Sequence, residues 1–259
     1  MSNHFVIANN IIMKHFGIIG FPLSHTFSPG YFSEKFKSLH IDADYKAFPI
    51  EHIELLPDLI KSKHLCGINV TLPYKQQVLP LLDEIDSDAL QIGAVNTISV
   101  INGRTKGYNT DVLGFELSLL DLIQSPKHIK GAYILGTGGA AKAVEYVLKK
   151  MKIRYSYISR DDSKGLTYDN IHKKDFSNIN LIINTTPIGM YPNLDSCPDI
   201  PYEWINENYF LYDLVYNPEK TLFLSEGINR NAKVKNGYDM LILQAEKAWE
   251  IWNNHKLNS

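Results

Sequence analysis

Cysteine is scarce in this chain. Only Cys66 and Cys197 occur in 259 residues, and their spacing is not that of metal ligands. Two cysteines are too few for a disulfide framework; they fit buried thiols in a reducing cytoplasm, with no metal site. Long apolar runs are also missing, and no stretch approaches the ~18 residues that a membrane span requires. The N-terminus lacks a basic flank, and Asn9 and Asn10 interrupt its apolar stretch, so it makes a poor signal peptide. Neither charge sign dominates: 26 Lys and Arg stand against 28 Asp and Glu, for a net charge of −2. That balance excludes a nucleic-acid binder working through a basic face. Repeats, low-complexity segments and long linkers are absent. What is present, 44% hydrophobic and 21% charged residues, describes an ordinary globular protein. The length suffices for two domains or one large one.

The stretch Gly67-Ile68-Asn69-Val70-Thr71-Leu72-Pro73-Tyr74-Lys75 organises the rest. It reads as a buried strand stopped by Pro73, which cannot donate to a sheet ladder. Asn69 and Thr71 alternate with Ile68, Val70 and Leu72, so their side chains share one face. Lys75 follows just past the carboxyl end, where open α/β sheets place ligands. An amide, a hydroxyl and an ammonium there can hold a small polyhydroxylated molecule and move a proton on it; a strand end with a solvated lysine is the plainer account.

Earlier in the chain, residues 1–12 precede Met13 and are expected to be dispensable. A strand over 15–19 leads through a loop to a helix for which Ser28 is the expected N-cap and Pro29 the first residue. Thr26 and Ser28 set hydroxyls beside that helix N-terminus, which suits a carboxylate ligand, although capping alone accounts for Ser28. A strand over 43–48 and a helix around 53–62 complete a parallel βαβ pattern with the Gly67 strand. A helical region is expected from Lys75 to Ile92. Runs over 95–101 and 104–108 flank Asn102-Gly103, a strong hairpin signal. Asn96 stands at its entrance, and Asn109-Thr110-Asp111 at its exit, where Asp111 is placed to cap the helix 112–122 and also to face a crevice.

The second half opens with a strand at 132–135 and Gly136-Thr137-Gly138-Gly139-Ala140-Ala141, followed by a helix through Met151. This is G-x-G-x-x-A in strand–turn–helix context, which lets a pyrophosphate approach the helix N-terminus. The next strand, 153–159, ends in Ser159-Arg160-Asp161-Asp162. An arginine there suits the 2′-phosphate of NADP, whereas an acid suits the ribose hydroxyl of NAD, so Arg160 favours NADP while Asp161 and Asp162 weaken that preference; a solvated surface arginine is the plainer account. Strands are expected at 181–184, 210–214 and 233–236. The loop 185–192 after the first of these could border a nicotinamide. Asp239 is expected to cap a last helix with Leu241, Ala245, Ala248, Trp249 and Trp252 along one side, and Gln244 reads as a half-exposed polar residue on it.

Together these segments make the chain resemble the shikimate dehydrogenase family, nearly throughout from Met13. The resemblance rests on residues 22–29, 69–75, Gly93-Ala94-Val95-Asn96-Thr97, Asn109-Thr110-Asp111, the Gly136 turn, 184–190, Asp213-Leu214-Val215-Tyr216-Asn217-Pro218, and Asn236-Gly237 with Gln244. It implies an α/β protein of two α/β domains: an N-terminal, mostly parallel substrate-binding sheet and a Rossmann-like dinucleotide-binding domain, with a cleft between them. The expected limits are 13–111 for the first, with a C-terminal helix 239–259 packing back on it, and 112–238 for the second. The implied activity is the reversible, NADP-linked reduction of 3-dehydroshikimate to shikimate in aromatic amino-acid biosynthesis, by a cytoplasmic monomer or homodimer. Lys75 and Asp111 match the family's catalytic pair. Substrate contacts fall on Thr26, Ser28, Asn69, Thr71, Asn96, Asp111, Tyr216 and Gln244. Cofactor contacts fall on Gly136, Thr137, Gly138, Gly139, Ala140, Ser159 and Arg160, and by backbone on Leu214 and Gly237.

Three positions depart from the family pattern. Thr26 replaces a usual serine, which bears on activity toward quinate. Ser159-Arg160-Asp161 replaces asparagine-arginine-threonine, which bears on cofactor choice. Asp239 replaces a common glycine. A free lysine has a pKa of ~10.4; burial would lower that of Lys75 and a neighbouring Asp111 would raise it. The rival readings are a quinate/shikimate dehydrogenase of relaxed cofactor choice and a catalytically silent NADP-binding regulator on the same fold. A pure binder has no use for the Lys75 and Asp111 pair. A folate-linked methylene dehydrogenase leaves Thr26, Ser28 and Gln244 unexplained.

Overall fold

The computed structural model describes residues 13–23, 26–161, 163 and 165–253. The leader 1–12 and Asp162 lie outside them. The chain divides into two compact units, Met1–Ile85 with Thr97–Gly107, and Asp86–Asn96 with Tyr108–Ser259.

The first unit is built on strands β1 (Lys14–Gly20), β2 (Ala43–Pro49), β3 (Leu65–Val70), β4 (Glu84–Ile85), β5 (Thr97–Ile101) and β6 (Arg104–Tyr108), ordered β2-β1-β3-β5-β6-β4. β1 pairs in parallel with β2 and β3, and β3 runs antiparallel to β5. The central strands read as continuous apolar runs because both faces are covered. Helix α1 (Phe27–Ser38) buries Phe32 and Phe36, four residues apart and so on one face. Phe32 stacks on Tyr45 of β2 at 4.7 Å between centroids, and Phe36 meets Phe16 of β1 at 5.6 Å. The 3₁₀ turn Ile53–Leu55 and helix α2 (Leu56–Lys63) replace the single helix expected there. Asn102 and Gly103 both take positive φ, 52° and 79°, as a two-residue hairpin turn demands.

The helix expected from Lys75 to Ile92 does not form as one. Residues 72–78 make successive turns, and only α3 (Ser87–Ile92) is α-helical. Pro80 cannot sit inside a helix, and it opens the 3₁₀ turn Leu79–Leu81 instead. Asp83 then draws the chain onto the sheet: its carboxylate accepts from the Thr105 amide at 2.7 Å and the Thr105 hydroxyl at 2.9 Å. Glu84 and Ile85 consequently pair with β6.

The second unit carries strands β7 (Ala132–Leu135), β8 (Tyr155–Ile158), β9 (Leu181–Asn184), β10 (Phe210–Asp213) and β11 (Lys233–Lys235), all parallel. Their order, β11-β10-β9-β7-β8, reverses direction at β7. In such sheets the crevice beyond the carboxyl ends of the strands flanking that reversal receives the ligand. Alternate residues of β7 face opposite cores. Ala132 and Ile134 join one with α4 (Asp111–Ile123) and α5 (Gly139–Lys150); Tyr133 and Leu135 join the other with Phe176, of the short helix α6 (Lys173–Phe176), and Phe223, of α7 (Leu222–Ile228).

The last helix, α8 (Tyr238–Asn253), groups with this second unit, where α4 is its main packing partner. The sequence reading assigned it to the first. The division also falls twice in the chain rather than once near Asp111, because 86–96 joins the second unit while the hairpin stays in the first. No helix among the described residues is long and apolar enough to cross a membrane.

Candidate active site and dinucleotide turn

In the first unit, the candidate residues gather where β3 ends and α1 begins. Asn69 is buried, accepts from the Tyr45 hydroxyl at 2.7 Å and donates to the Thr97 hydroxyl at 3.1 Å. Tyr45 also hydrogen-bonds the Ser28 side chain, and burial pushes its phenol well above the ordinary range. Ser28, Tyr45, Asn69 and Thr97 thus form one buried polar chain drawn from α1, β2, β3 and β5. Ser28 is not the N-cap. Thr26 occupies that position with extended backbone, and its hydroxyl makes no capping hydrogen bond. The helix starts earlier than expected because Ser28 is spent inward on Tyr45.

Thr71 lies one residue past β3, with its amide held by Ile19 O at 2.9 Å. Lys75, half-buried, sits in the turn just beyond. That turn is anchored on each side of Lys75: the Tyr74 amide donates to Thr71 O, the Tyr74 hydroxyl donates to Ile50 O at 2.7 Å, and the Val78 amide returns to Tyr74 O.

The second unit assembles a matching cluster. Asn96 is buried; its amide nitrogen donates to Asp111 Oδ1 at 2.8 Å and to Thr110 Oγ1 at 3.0 Å, while its oxygen accepts from the Thr110 amide at 2.7 Å. Thr110, not Asp111, is the N-cap residue of α4, and Asp111 is the first helical residue. A carboxylate there lies in the favourable field of the helix N-terminus. The Thr110 hydroxyl also reaches Gln244 Oε1 at 3.4 Å, and Gln244 donates to Leu241 O. Gln244 is buried rather than half-exposed, since its helix packs along α4. Asn96, Asp111 and Gln244, far apart in sequence, therefore converge around Thr110. Asp239 lies in the first turn of α8 and pairs with Lys235 rather than capping the helix.

The glycine turn stands where β7 ends. Gly136 has φ of +100°, and a Cβ there would meet Thr186 Cγ2 at 2.8 Å, so only glycine fits. Thr137 is half-buried beside it. Gly138 is the N-cap of α5, and nothing stands within 4 Å of where its side chain would begin. Gly139 and Ala140 open the helix, so their amides lack intrahelical acceptors, as at any helix N-terminus able to receive an anion. Ser159 is buried at the end of β8, its hydroxyl accepting from the Asp161 amide, while Arg160 is exposed. The Asp161 carboxylate turns onto the Ser163 amide and hydroxyl, the latter at 2.6 Å. Gly237 touches Leu214: a Cβ on it would lie 2.2 Å from Leu214 O, which brings these two candidates together. Tyr216 follows Leu214 by two residues and is half-buried; burial raises its phenol pKa. The turn, the open approach at Gly138 and the exposed Arg160 fit a dinucleotide carrying an extra phosphate.

Sequence reasoning missed Tyr45 and Thr97 as partners of Asn69. It quoted Asp213 without giving it a role.

Comparison with known proteins identifies what the chain is similar to. Residues 18–98 match the shikimate dehydrogenase substrate binding domain family. A shikimate dehydrogenase (NADP(+)) of Clostridium beijerinckii is 40% identical over 257 residues, covering 95% of this chain and 94% of the relative. The crystal structure of shikimate dehydrogenase from Aquifex aeolicus aligns with TM-score 0.84 at 33% identity, covering 93% of each chain. That of shikimate 5-dehydrogenase from Thermus thermophilus, in complex with NADP(H) and shikimate, aligns with TM-score 0.82 at 31% identity, covering 93% of this chain and 94% of the other.

Proposed function

The chain belongs to the shikimate dehydrogenase family, and from that membership we propose that it catalyses the reversible, NADP-linked reduction of 3-dehydroshikimate to shikimate. The observation that carries the reading is the buried cluster in which Asn96, Asp111 and Gln244 meet around Thr110. Polar side chains are not brought together in an interior without a task, because each must be desolvated and paired.

Gly136, Thr137, Gly138, Gly139 and Ala140 would hold the pyrophosphate of NADP. Arg160 would take its 2′-phosphate and Ser159 the ribose edge, and the Leu214 and Gly237 backbone would border the nicotinamide. Bound NADP supplies the hydride donor or acceptor. The chain's own residues position the substrate and handle the proton. Thr26 and Ser28 bind the substrate carboxylate at the head of α1. Asn69, Thr71, Asn96, Tyr216 and Gln244 hold its hydroxyls. Lys75 donates a proton to the carbonyl oxygen during reduction, and its ammonium stabilises the alkoxide charge that develops there. In the reverse direction the hydroxyl proton returns to Lys75. Asp111 is the second member of the catalytic pair and shares in that proton transfer. We place the enzyme in the cytoplasm, as a monomer or homodimer.

The test is direct. Purified protein given shikimate with NADP+ or NAD+ is followed at the reduced-nicotinamide band. Faster reduction of NADP+ is expected, and no shikimate-dependent signal with either cofactor would refute the assignment. The same assay with quinate separates the relaxed dehydrogenase.

A further inference from the structure

Asp213 is fully buried at the carboxyl end of β10, yet none of the substrate or cofactor roles uses it. One carboxylate oxygen accepts from Asn184 Nδ2 at 2.9 Å and from the Val215 amide at 3.0 Å; the other accepts from the Thr221 hydroxyl at 2.6 Å. Each partner leads to a separate segment of the dinucleotide edge. Asn184 ends β9, beside Asp213 in register, and its side-chain oxygen accepts from the Thr186 amide at 3.0 Å and the Thr186 hydroxyl at 2.6 Å. Thr186 in turn lies against the Gly136 turn, where its methyl group blocks any side chain. Val215 belongs to the loop carrying Leu214 and Tyr216, and Val215 O accepts from the Gly237 amide. Thr221 caps α7, accepting from the Leu224 amide.

We propose that Asp213 is a positioning residue of the dinucleotide site: through Asn184 and Thr186 it fixes the Gly136 turn, and through the Val215 amide it fixes the Leu214–Tyr216 loop, before NADP arrives. An amide such as Asn184 offers either end to a partner. Asp213, acceptor-only when ionised, takes the nitrogen and thereby aims the oxygen at Thr186. Burying a carboxylate is costly unless it is fully hydrogen-bonded, and here three donors satisfy it. A carboxylate kept at such a junction is better explained by what it aligns than by stability, for which an apolar residue would serve.

This inference rests on the dinucleotide-binding role proposed for the Gly136 turn, and the experiment separates the two. NADPH binding is measured by fluorescence titration, without turnover, on wild type, Asp213→Ala, Asp213→Asn and Thr186→Val, at a temperature well below each melting point. Asp213→Ala should weaken NADPH at least tenfold. Asp213→Asn should restore affinity to within about threefold, because its oxygen can still accept from Asn184 and Val215 with its nitrogen toward Thr221. Thr186→Val should weaken NADPH several-fold, and it decides the matter alone if Asp213→Ala does not fold. Affinity within twofold of wild type in a folded Asp213→Ala, no restoration by asparagine, or an unchanged Thr186→Val would overturn the proposal. Wild type that binds NADPH but ignores shikimate sinks the functional reading while leaving Asp213 to be decided by its variants; wild type that binds no NADPH sinks both.

Discussion

Replacing Asn96 by alanine tests the second unit's polar cluster most directly. The truncation removes the acceptor of the Thr110 amide, in a residue only 1% exposed. A buried amide left without an acceptor costs about 1–3 kcal/mol. It also removes the 2.8 Å donor to the Asp111 carboxylate, itself buried. A hydrogen bond to a charged group contributes about 1.5–3 kcal/mol. The two losses share one side chain and do not simply add, so roughly 3–4 kcal/mol is expected. That is a large fraction of the roughly 5–15 kcal/mol that holds an ordinary domain together. Urea unfolding followed by circular dichroism measures it as a shift in midpoint at constant slope. Asn96→Asp is the informative companion: it keeps an acceptor for Thr110 but sets a second carboxylate against Asp111, and should be destabilised further as pH rises above the carboxylate range. A loss below about 1 kcal/mol in Asn96→Ala would show that Thr110 and Asp111 find other partners, and the cluster would not be the tightly determined site described.

Three further outcomes are expected. Lys75→Ala should lower kcat by roughly 10²–10⁴-fold, with KM for shikimate changed far less, in steady-state assays; near-normal kcat removes Lys75 as the acid/base. Arg160→Gln should raise KM for NADP+ by roughly tenfold or more, as a lost charged hydrogen bond implies, while Asp161→Ala should leave the NADP+ to NAD+ preference nearly unchanged, because that carboxylate is already turned onto Ser163; a large swing in the aspartate variant would show it faces the ribose. Finally, burial raises the Asp213 pKa from 3.8 to about 6, so the folded state holds this proton more tightly than the unfolded chain. Its contribution to stability is fully present below pH 4, falls between pH 4 and 6, and is lost above pH 6, a swing of about 3 kcal/mol. Wild type measured against Asp213→Asn across that window should show the fall; a flat or rising difference contradicts it.

Most of the framework was legible in the sequence, because local patterns determine it. Apolar runs located β3, β9 and β10. Asn102-Gly103 announced its turn, and Gly136 announced its own, since few residues accept a positive φ. The misreadings share one cause, a distant partner that outweighs local preference. Ser28 looks like a cap until Tyr45 claims it from β2. The segment after Lys75 looks helical until Thr105, 22 residues beyond Asp83, ties that carboxylate to the hairpin. Gln244 looks half-exposed until α8 lies along α4. Tyr45 carried no signal, and Thr97 only a place in the family motif, because a tyrosine or threonine on a strand is usually there for packing.

The partnerships also explain why the polar residues stand at strand ends rather than within strands. In LIIN of β9 and FLYD of β10, the apolar positions close the two cores, and the last residue of each strand is polar and buried. At that point the ladder is running out, and the next backbone amides need acceptors that a strand no longer provides. Asn184 and Asp213 supply them, to Thr186 and Val215. The same side chains that end the strands therefore dictate the path of the loops, so the shape of the ligand edge is decided by how the sheet stops. A substitution that merely preserved polarity at 184 or 213, without the donor or acceptor each presents, would keep the strands and misplace the loops that leave them.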